Sequence, residues 1–427
     1  MSSNKNMKKT QKRTNNTSVS TDRFQWPGEF PGVHWIDGEE EEAVLDVVRN
    51  GSMFRYYGVK TPSYVDKFED SARSFYGTRH ALGVNSGTGA LITSLTALDI
   101  GPGCEVVIPA FLWVATVGAV VQCGAIPVLC EVNDTFNMDP LDLERKITAR
   151  TRLILPIHMA GAPCEMDAIM AVANRHGIPV LEDCAQCNGG SFQGKKVGTF
   201  GKAGIFSLQL NKNMTCGEGG LIVTDDEKTH TRAFAAHDMG MIRKNGRLAL
   251  PDEDAILWGG GRRMNEMCGA VASVQLRKLP SIVKKMKSSK KRIKDALRCV
   301  GGLSFRRMAD ETGDTGPFLI FTLENDSKAK EVAEKMRSQG LNSTFRISDY
   351  GLHIYYNIPA LVNKIPVSSA GNPWRLEANM RSQYEYAKGS CPKSDELFAK
   401  SILLSIPSCL TEKQEMMASD IITKVLN

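Results

Sequence analysis

Two short stretches of this chain carry side chains whose types and order suit covalent and proton-transfer chemistry. In the first, the apolar residues Ile205, Phe206, Leu208 and Leu210 lead to Lys212, and Gly217, Gly219 and Gly220 precede a second apolar run at 221–223. The pattern predicts a buried strand, a turn that carries the lysine at a loop edge, and a returning strand. A lysine so placed is either solvent-facing and inert or partly desolvated. In the second case its pKa falls from about 10.4 and the amine becomes a nucleophile and a base. In the other stretch, the apolar residues of 178–181 end in Glu182 and Asp183, with Gln186 three positions on. One sheet edge would then gather an acid, an amide and an amine.

The elements that must position these groups follow from the periodicity. Strands are expected at 81–85, 105–109, 126–132, 152–158 and 178–183, with helices at 39–48, 63–76, 92–98, 140–147 and 166–177. That alternation predicts an α/β fold, a mostly parallel sheet with helices on both faces and ligands at the carboxyl ends of the strands. Asn85, Ser86, Gly87, Thr88 and Gly89 form a glycine turn between a strand and an apolar helix, and unpaired N–H groups there suit a phosphate. Trp113 opens a helix at a strand end, where a core tryptophan is the alternative to a ligand contact. His158 closes another strand, and a structural histidine and a substrate contact are both open readings. An aromatic loop at 53–58 holds Arg55, Tyr56 and Tyr57.

The order of the glycine turn, Asp183, Gln186 and Lys212 resembles fold-type I enzymes of pyridoxal phosphate (PLP), and more narrowly the sugar aminotransferases of the DegT/DnrJ/StrS-type family. The similarity runs from about Trp35 to the C-terminus and is weakest over 342–389. It implies a large domain with a mostly parallel, seven-stranded-type sheet flanked by helices, plus a smaller α+β C-terminal domain. It also implies PLP, held by Lys212 as a Schiff base, with Asp183 on the pyridine nitrogen and Gln186 on the ring hydroxyl. Trp113 would stack on the ring, and Gly87, Thr88, Gly89 and Ser207 would bind the phosphate. Residues 258–266 are similar to the family's G-x-N-x-R-M/L-N-E motif, but Gly261 stands at the asparagine. Arg262 is therefore the candidate for the phosphate contact that this asparagine makes across a subunit boundary. Arg55, Tyr56, Tyr57 and His158 are candidate substrate contacts, and no metal is expected. The implied reaction moves an amino group from glutamate or glutamine to a keto or aldehydo sugar, sugar acid or cyclitol in amino-sugar biosynthesis. The implied enzyme is a cytoplasmic homodimer with shared active sites. The alternatives are the family's PLP-dependent sugar dehydratases, in which histidine replaces the lysine, and a nucleic-acid-binding regulator.

Composition bounds these readings. A chain of 427 residues with 42% hydrophobic and 23% charged residues has the makeup of a folded globular protein of more than one core. Five of its six formal positive charges come from Lys5, Lys8, Lys9, Lys12 and Arg13, in a polar segment over 1–23 that reads as a disordered basic tail. The body is near neutral and carries no helix-turn-helix or zinc motif, which disfavours nucleic acid. Eleven irregularly spaced cysteines predict free thiols in a reducing compartment, with Cys184 and Cys187 filling a loop rather than binding metal. The uncharged run 112–130 contains Gly118, Gln122, Gly124 and Pro127, so it predicts a buried helix and strand and not a membrane span. The large PLP-binding domain is expected over 24–280 and the small one over 281–427, with the helix from Glu266 interrupted at Pro280. Ser327, Ser394 and Thr411 are the expected caps of the C-terminal helices.

Overall fold

The computed structural model describes residues 24–61, 63–245 and 247–426, so the expected basic tail lies outside the described residues. Helix α1 (Gly38–Asn50) starts where Asp37 accepts from the Glu39 N–H at 2.9 Å and Glu40 accepts from the Asp37 N–H at 3.0 Å. The remaining helices are α2 (Tyr64–Tyr76), α3 (Gly87–Ala97), α4 (Val114–Gln122), α5 (Pro140–Lys146), α6 (Met166–His176), α7 (Glu227–His237), α8 (Glu266–Ala296), α9 (Asp326–Ser338), α10 (Pro359–Val362), α11 (Pro392–Ala399) and α12 (Glu412–Leu426). The strands are β1 (His80–Val84), β2 (Glu105–Pro109), β3 (Ile126–Cys130), β4 (Thr151–Ile154), β5 (Leu181–Asp183), β6 (Ser191–Phe192), β7 (Lys195–Lys196), β8 (Ala203–Ser207), β9 (Gly220–Thr224), β10 (Ile242–Lys244), β11 (Arg247–Ala249), β12 (Ser304–Phe305), β13 (Phe318–Thr322), β14 (Thr344–Arg346) and β15 (Ser401–Ser405).

Two ladders, β3-β2-β4 and β5-β8-β9-β1, meet through the parallel bridges Ile154–Val180 and Ile157–Asp183 to make one seven-stranded layer. Its pairs are parallel except where β9 runs against β1 and β8. Every residue of β2, β3, β8 and β9 is buried, as expected when helices cover both faces. The 112–130 run becomes α4 and β3 inside this layer, and among the described residues no helix is long and apolar enough to cross a membrane. A second core lies between the antiparallel sheet β12-β13-β15-β14 and helices α9 and α12, and it includes Trp26, Ile293 and Leu297.

Three local expectations change. Helix α8 runs unbroken through Pro280, because Leu276, Leu279, Ile282 and Met286 bury one apolar stripe on both sides of the missing N–H. Its basic residues are also partly neutralised, Lys290 by Asp314 at 2.6 Å and Lys294 by Glu311 at 2.8 Å. Asn325, not Ser327, caps α9. Ser394 lies within α11, where its N–H donates to Glu131 at 2.8 Å, its hydroxyl donates to the same carboxylate, and that hydroxyl accepts the Val132 N–H at 2.8 Å. The Thr411–Gln414 box before α12 forms as expected.

Candidate active site

Strands β5 and β8 lie side by side and parallel, with Asp183 opposite Ile205, so the ends of both strands deliver their loops to one place. Helix α3 begins beside them. The resulting cavity, about 440 Å³, is lined by Asp183, Gln186, Ser207, Lys212, Gly87, Thr88 and Trp113, among others. These residues come from separate parts of the sequence and meet because the right-handed βα units place their strand ends on one edge.

Asp183 is 3% exposed. Its Oδ2 accepts the Thr116 hydroxyl at 2.7 Å and its Oδ1 accepts the Ala185 N–H at 3.0 Å. Burial raises the carboxyl pKa, while these two donors and the Lys212 amine pull the other way. Lys212 keeps part of its surface open to the cavity, yet burial lowers its amine pKa against the attraction of Asp183. The Lys212 turn is pinned from several sides. Its N–H donates to the Gln209 carbonyl at 3.0 Å, and its carbonyl accepts the Gly32 N–H at 3.1 Å. Asn213 Nδ2 donates to the Asn188 carbonyl at 3.1 Å, and Asn188 Nδ2 donates to the Ser207 carbonyl at 2.9 Å. Gln186 is oriented by accepting the Ala160 N–H at 3.0 Å through Oε1, which leaves its NH₂ group for the cavity.

The anion-binding end is the start of α3. Ser86 caps the helix by accepting the Gly89 N–H at 2.9 Å, so Gly89 has its donor occupied and does not line the cavity. Gly87 and Thr88 do line it. A Cβ on Gly87 would stand 2.7 Å from the Ser207 Cβ, so the absence of a side chain is what lets the helix start approach Ser207. Trp113 is the N-cap residue of α4, 42% exposed, with its ring 4.6 Å from that of His353.

The other predicted residues stay outside the cavity of their own chain. Arg55 is buried, donating to the Gly83 carbonyl at 3.1 Å and to Glu69 at 2.8 Å. The Tyr56 hydroxyl lies 2.7 Å from His237 Nε2, and Tyr57 is 65% exposed. His158 is fully buried, its Nε2 3.1 Å from Glu182 Oε2 and its Nδ1 accepting the Cys164 N–H at 3.0 Å, so the structural reading describes its position. Arg262 follows Gly261, whose φ of 64° lies in the region that favours glycine and asparagine. The Arg262 guanidinium folds over Gly260. Cys184 and Cys187 are free and buried.

Sequence reasoning missed Thr116, Glu29, Tyr350 and His353, all of which line the cavity. Thr116 carried a signal, a lone hydroxyl in the first turn of an otherwise apolar helix. The other three lie in stretches without periodicity.

A family model for the DegT/DnrJ/EryC1/StrS aminotransferase family matches residues 35–423. Among solved structures, the chain is similar to 3-amino-5-hydroxybenzoic acid synthase, with 25% identity, a TM-score of 0.77, and coverage of 95% of this chain and 98% of that one. It is similar to S. venezuelae DesV, with 26% identity, a TM-score of 0.77, and coverage of 95% and 99%. It is also similar to an aminotransferase from Psychrobacter cryohalolentis, with 26% identity, a TM-score of 0.76, and coverage of 94% and 98%.

Proposed function

The chain belongs to the DegT/DnrJ/EryC1/StrS aminotransferase family, and we propose how its own residues carry the reaction. The enzyme is a pyridoxal-phosphate-dependent aminotransferase of amino-sugar biosynthesis. Its cavity fits that cofactor on three observations: a buried carboxylate held by two donors, a desolvated amine, and a helix start whose glycine admits an anion beside Ser207. When bound, pyridoxal phosphate supplies an electron-withdrawing ring that takes up the electron pair left when the donor's α-carbon loses its proton.

Lys212 Nζ holds the cofactor in the resting enzyme and, once released, takes that proton and returns one on the other side of the transfer. A lowered amine pKa serves both tasks, because the neutral form is the base. Asp183 keeps the ring nitrogen protonated through a charge-assisted bond, with Thr116 and the Ala185 N–H fixing the carboxylate in place. Gln186 offers its NH₂ group to the ring hydroxyl, Trp113 covers the ring, and Gly87, Thr88 and Ser207 take the phosphate. The donor is glutamate or glutamine, and the acceptor is a keto or aldehydo sugar, sugar acid or cyclitol. A homodimer supports the shared site, since Ser207 and a helix start provide no full positive charge and the loop with Arg262 lies outside its own chain's cavity. Free thiols throughout the described residues fit a cytoplasmic enzyme.

The observation that carries this reading is Asp183 and Lys212 facing one cavity from the ends of neighbouring parallel strands. Asp183→Asn should leave the cofactor bound and reduce turnover by at least about a hundredfold, in line with losses seen when electrostatic stabilisation is removed. Near-normal turnover in a cofactor-loaded variant would take Asp183 out of its role. Mixing inactive Lys212→Ala and Arg262→Ala chains should restore part of the activity, and mixed dimers that stay inactive would refute the shared site.

A further inference from the structure

The roles above leave part of the cavity unassigned. Glu29 lines it from the segment before α1, which is held at both ends. Trp26 donates its N–H to the Gly340 carbonyl and its Nε1–H to the Ser405 carbonyl, each at 2.9 Å. Beyond Glu29, the Pro31 carbonyl accepts the Ser408 hydroxyl at 2.7 Å, and Gly32 is bonded to Lys212. The Glu29 carboxyl is thus carried on a fixed support between the C-terminal sheet and the lysine turn. It is half-buried, and among the described residues no hydrogen bond or ion pair satisfies it. Beside it, Tyr350 stacks on His353 at 4.2 Å with ring planes 12° apart, and His353 leads on to Trp113. Burial keeps His353 neutral, with its pKa lowered to about 3, and Tyr350 is likewise neutral.

The charged side chains of this chain that line the cavity are Glu29, Asp183, Glu218 and Lys212, three acids and one base. Asp183 and Lys212 have roles with the cofactor, whose phosphate adds further negative charge. We propose that Glu29 selects the acceptor: its carboxyl accepts a hydrogen bond from a hydroxyl of an uncharged polyhydroxylated ketone or aldehyde, and it turns away acceptors that carry a carboxylate. The proposal rests on the aminotransferase reading above and narrows it from sugars and sugar acids to neutral sugars and cyclitols. A hydroxyl donating to a carboxylate makes a charge-assisted bond, stronger than one between neutral groups. A carboxylate brought to the same place meets a like charge on a half-buried group. Burial raises the Glu29 carboxyl to about 7, since no donor stands beside it, so the carboxylate that takes the hydroxyl and repels an acid is present above that pH, and binding is compared at about pH 8.5.

The test uses the full-length, cofactor-loaded protein and two probes, myo-inositol as the neutral polyol and glucuronate as the acid, with binding measured by calorimetry. Wild-type protein and Glu29→Asp should bind inositol roughly tenfold or more tightly than glucuronate, and Glu29→Gln should lose most of that ratio, the scale expected for one charged hydrogen bond. The absorbance of the bound cofactor reports that each variant is folded. An unchanged ratio in Glu29→Gln, or wild-type protein that binds neither probe or prefers glucuronate, would overturn the assignment. The aminotransferase reading is checked separately in wild-type protein by the absorbance change on adding glutamate or glutamine. No change with either donor would refute that reading and not the binding preference.

Discussion

Replacing Thr116 by valine removes one hydroxyl while nearly keeping the shape of the side chain, and that hydroxyl is the donor held at 2.7 Å from Asp183 Oδ2. Thr116 is 1% exposed, so bulk water has no ready path to replace it. A hydrogen bond to a charged group contributes about 1.5–3 kcal/mol. If the ionised carboxylate is what keeps the ring nitrogen protonated, the loss appears in kcat/KM as about a ten- to hundredfold decrease at about 1.4 kcal/mol per factor of ten. The Ala185 N–H at 3.0 Å still holds the other oxygen, which places the expectation at the lower end. Burial already raises the Asp183 carboxyl and the Thr116 hydroxyl opposes that shift, so its removal lets burial act further. The defect should therefore deepen as pH falls, because the carboxylate is then lost earlier. Single-turnover absorbance with the amino donor, followed between about pH 6 and 9, reads both effects. Thr116→Ser keeps the hydroxyl and should recover most of the activity. A valine variant within about twofold of wild type at every pH would refute the claim that Thr116 tunes Asp183.

Gly87→Ala would set a Cβ 2.7 Å from Ser207 Cβ, so the helix start must move away and cofactor retention on dialysis should fall by about tenfold or more. Unchanged retention would mean that the helix start does not hold the phosphate. Burial keeps His230, His237 and His353 neutral, with pKa values lowered to about 4, about 3 and about 3. Unfolded histidines take up protons below about 6.5, so the stability these groups permit is present above that pH and is lost as pH falls toward the folded values. The melting temperature should accordingly drop between about pH 7 and 5, and His353→Phe, which keeps a stacking ring, should flatten the slope. An identical slope in that variant would show that His353 is not held neutral.

Lys212, Asp183 and Gln186 were legible because each follows an apolar strand, and strand ends in an α/β sheet converge on one edge. Gly87 was legible through the turn chemistry that surrounds it. His158 also closes a predicted strand, but its ring turns inward to Glu182 instead of toward the cavity. Arg55 looked like a loop cation available to a ligand, whereas Glu69, two turns into its neighbouring helix, draws it into the interior. Tyr350 and His353 were not legible for a different reason. Tyr350 lies between two short 3-10 turns, Ile347–Asp349 and Gly351–His353, and His353 ends the second, so their side chains follow neither the 3.6 nor the 2 period on which sequence reading depends. Glu29 lies in the Pro- and Gly-containing stretch 27–32, which forms no regular element before the 3-10 turn Val33–Trp35, and the tertiary anchors at Trp26 and Pro31 bring it to the cavity. Helix α8 shows the opposite error, a local rule about proline overridden by packing along a buried stripe.

Every role assigned above depends on Lys212 being the residue to which the cofactor is attached. Borohydride reduction of the cofactor-loaded enzyme, followed by proteolysis and mass mapping, tests it most directly. A single modified peptide with the added mass on Lys212 is expected, and no such peptide from Lys212→Ala. A label on any other lysine, or none in protein whose absorbance shows bound cofactor, would contradict it.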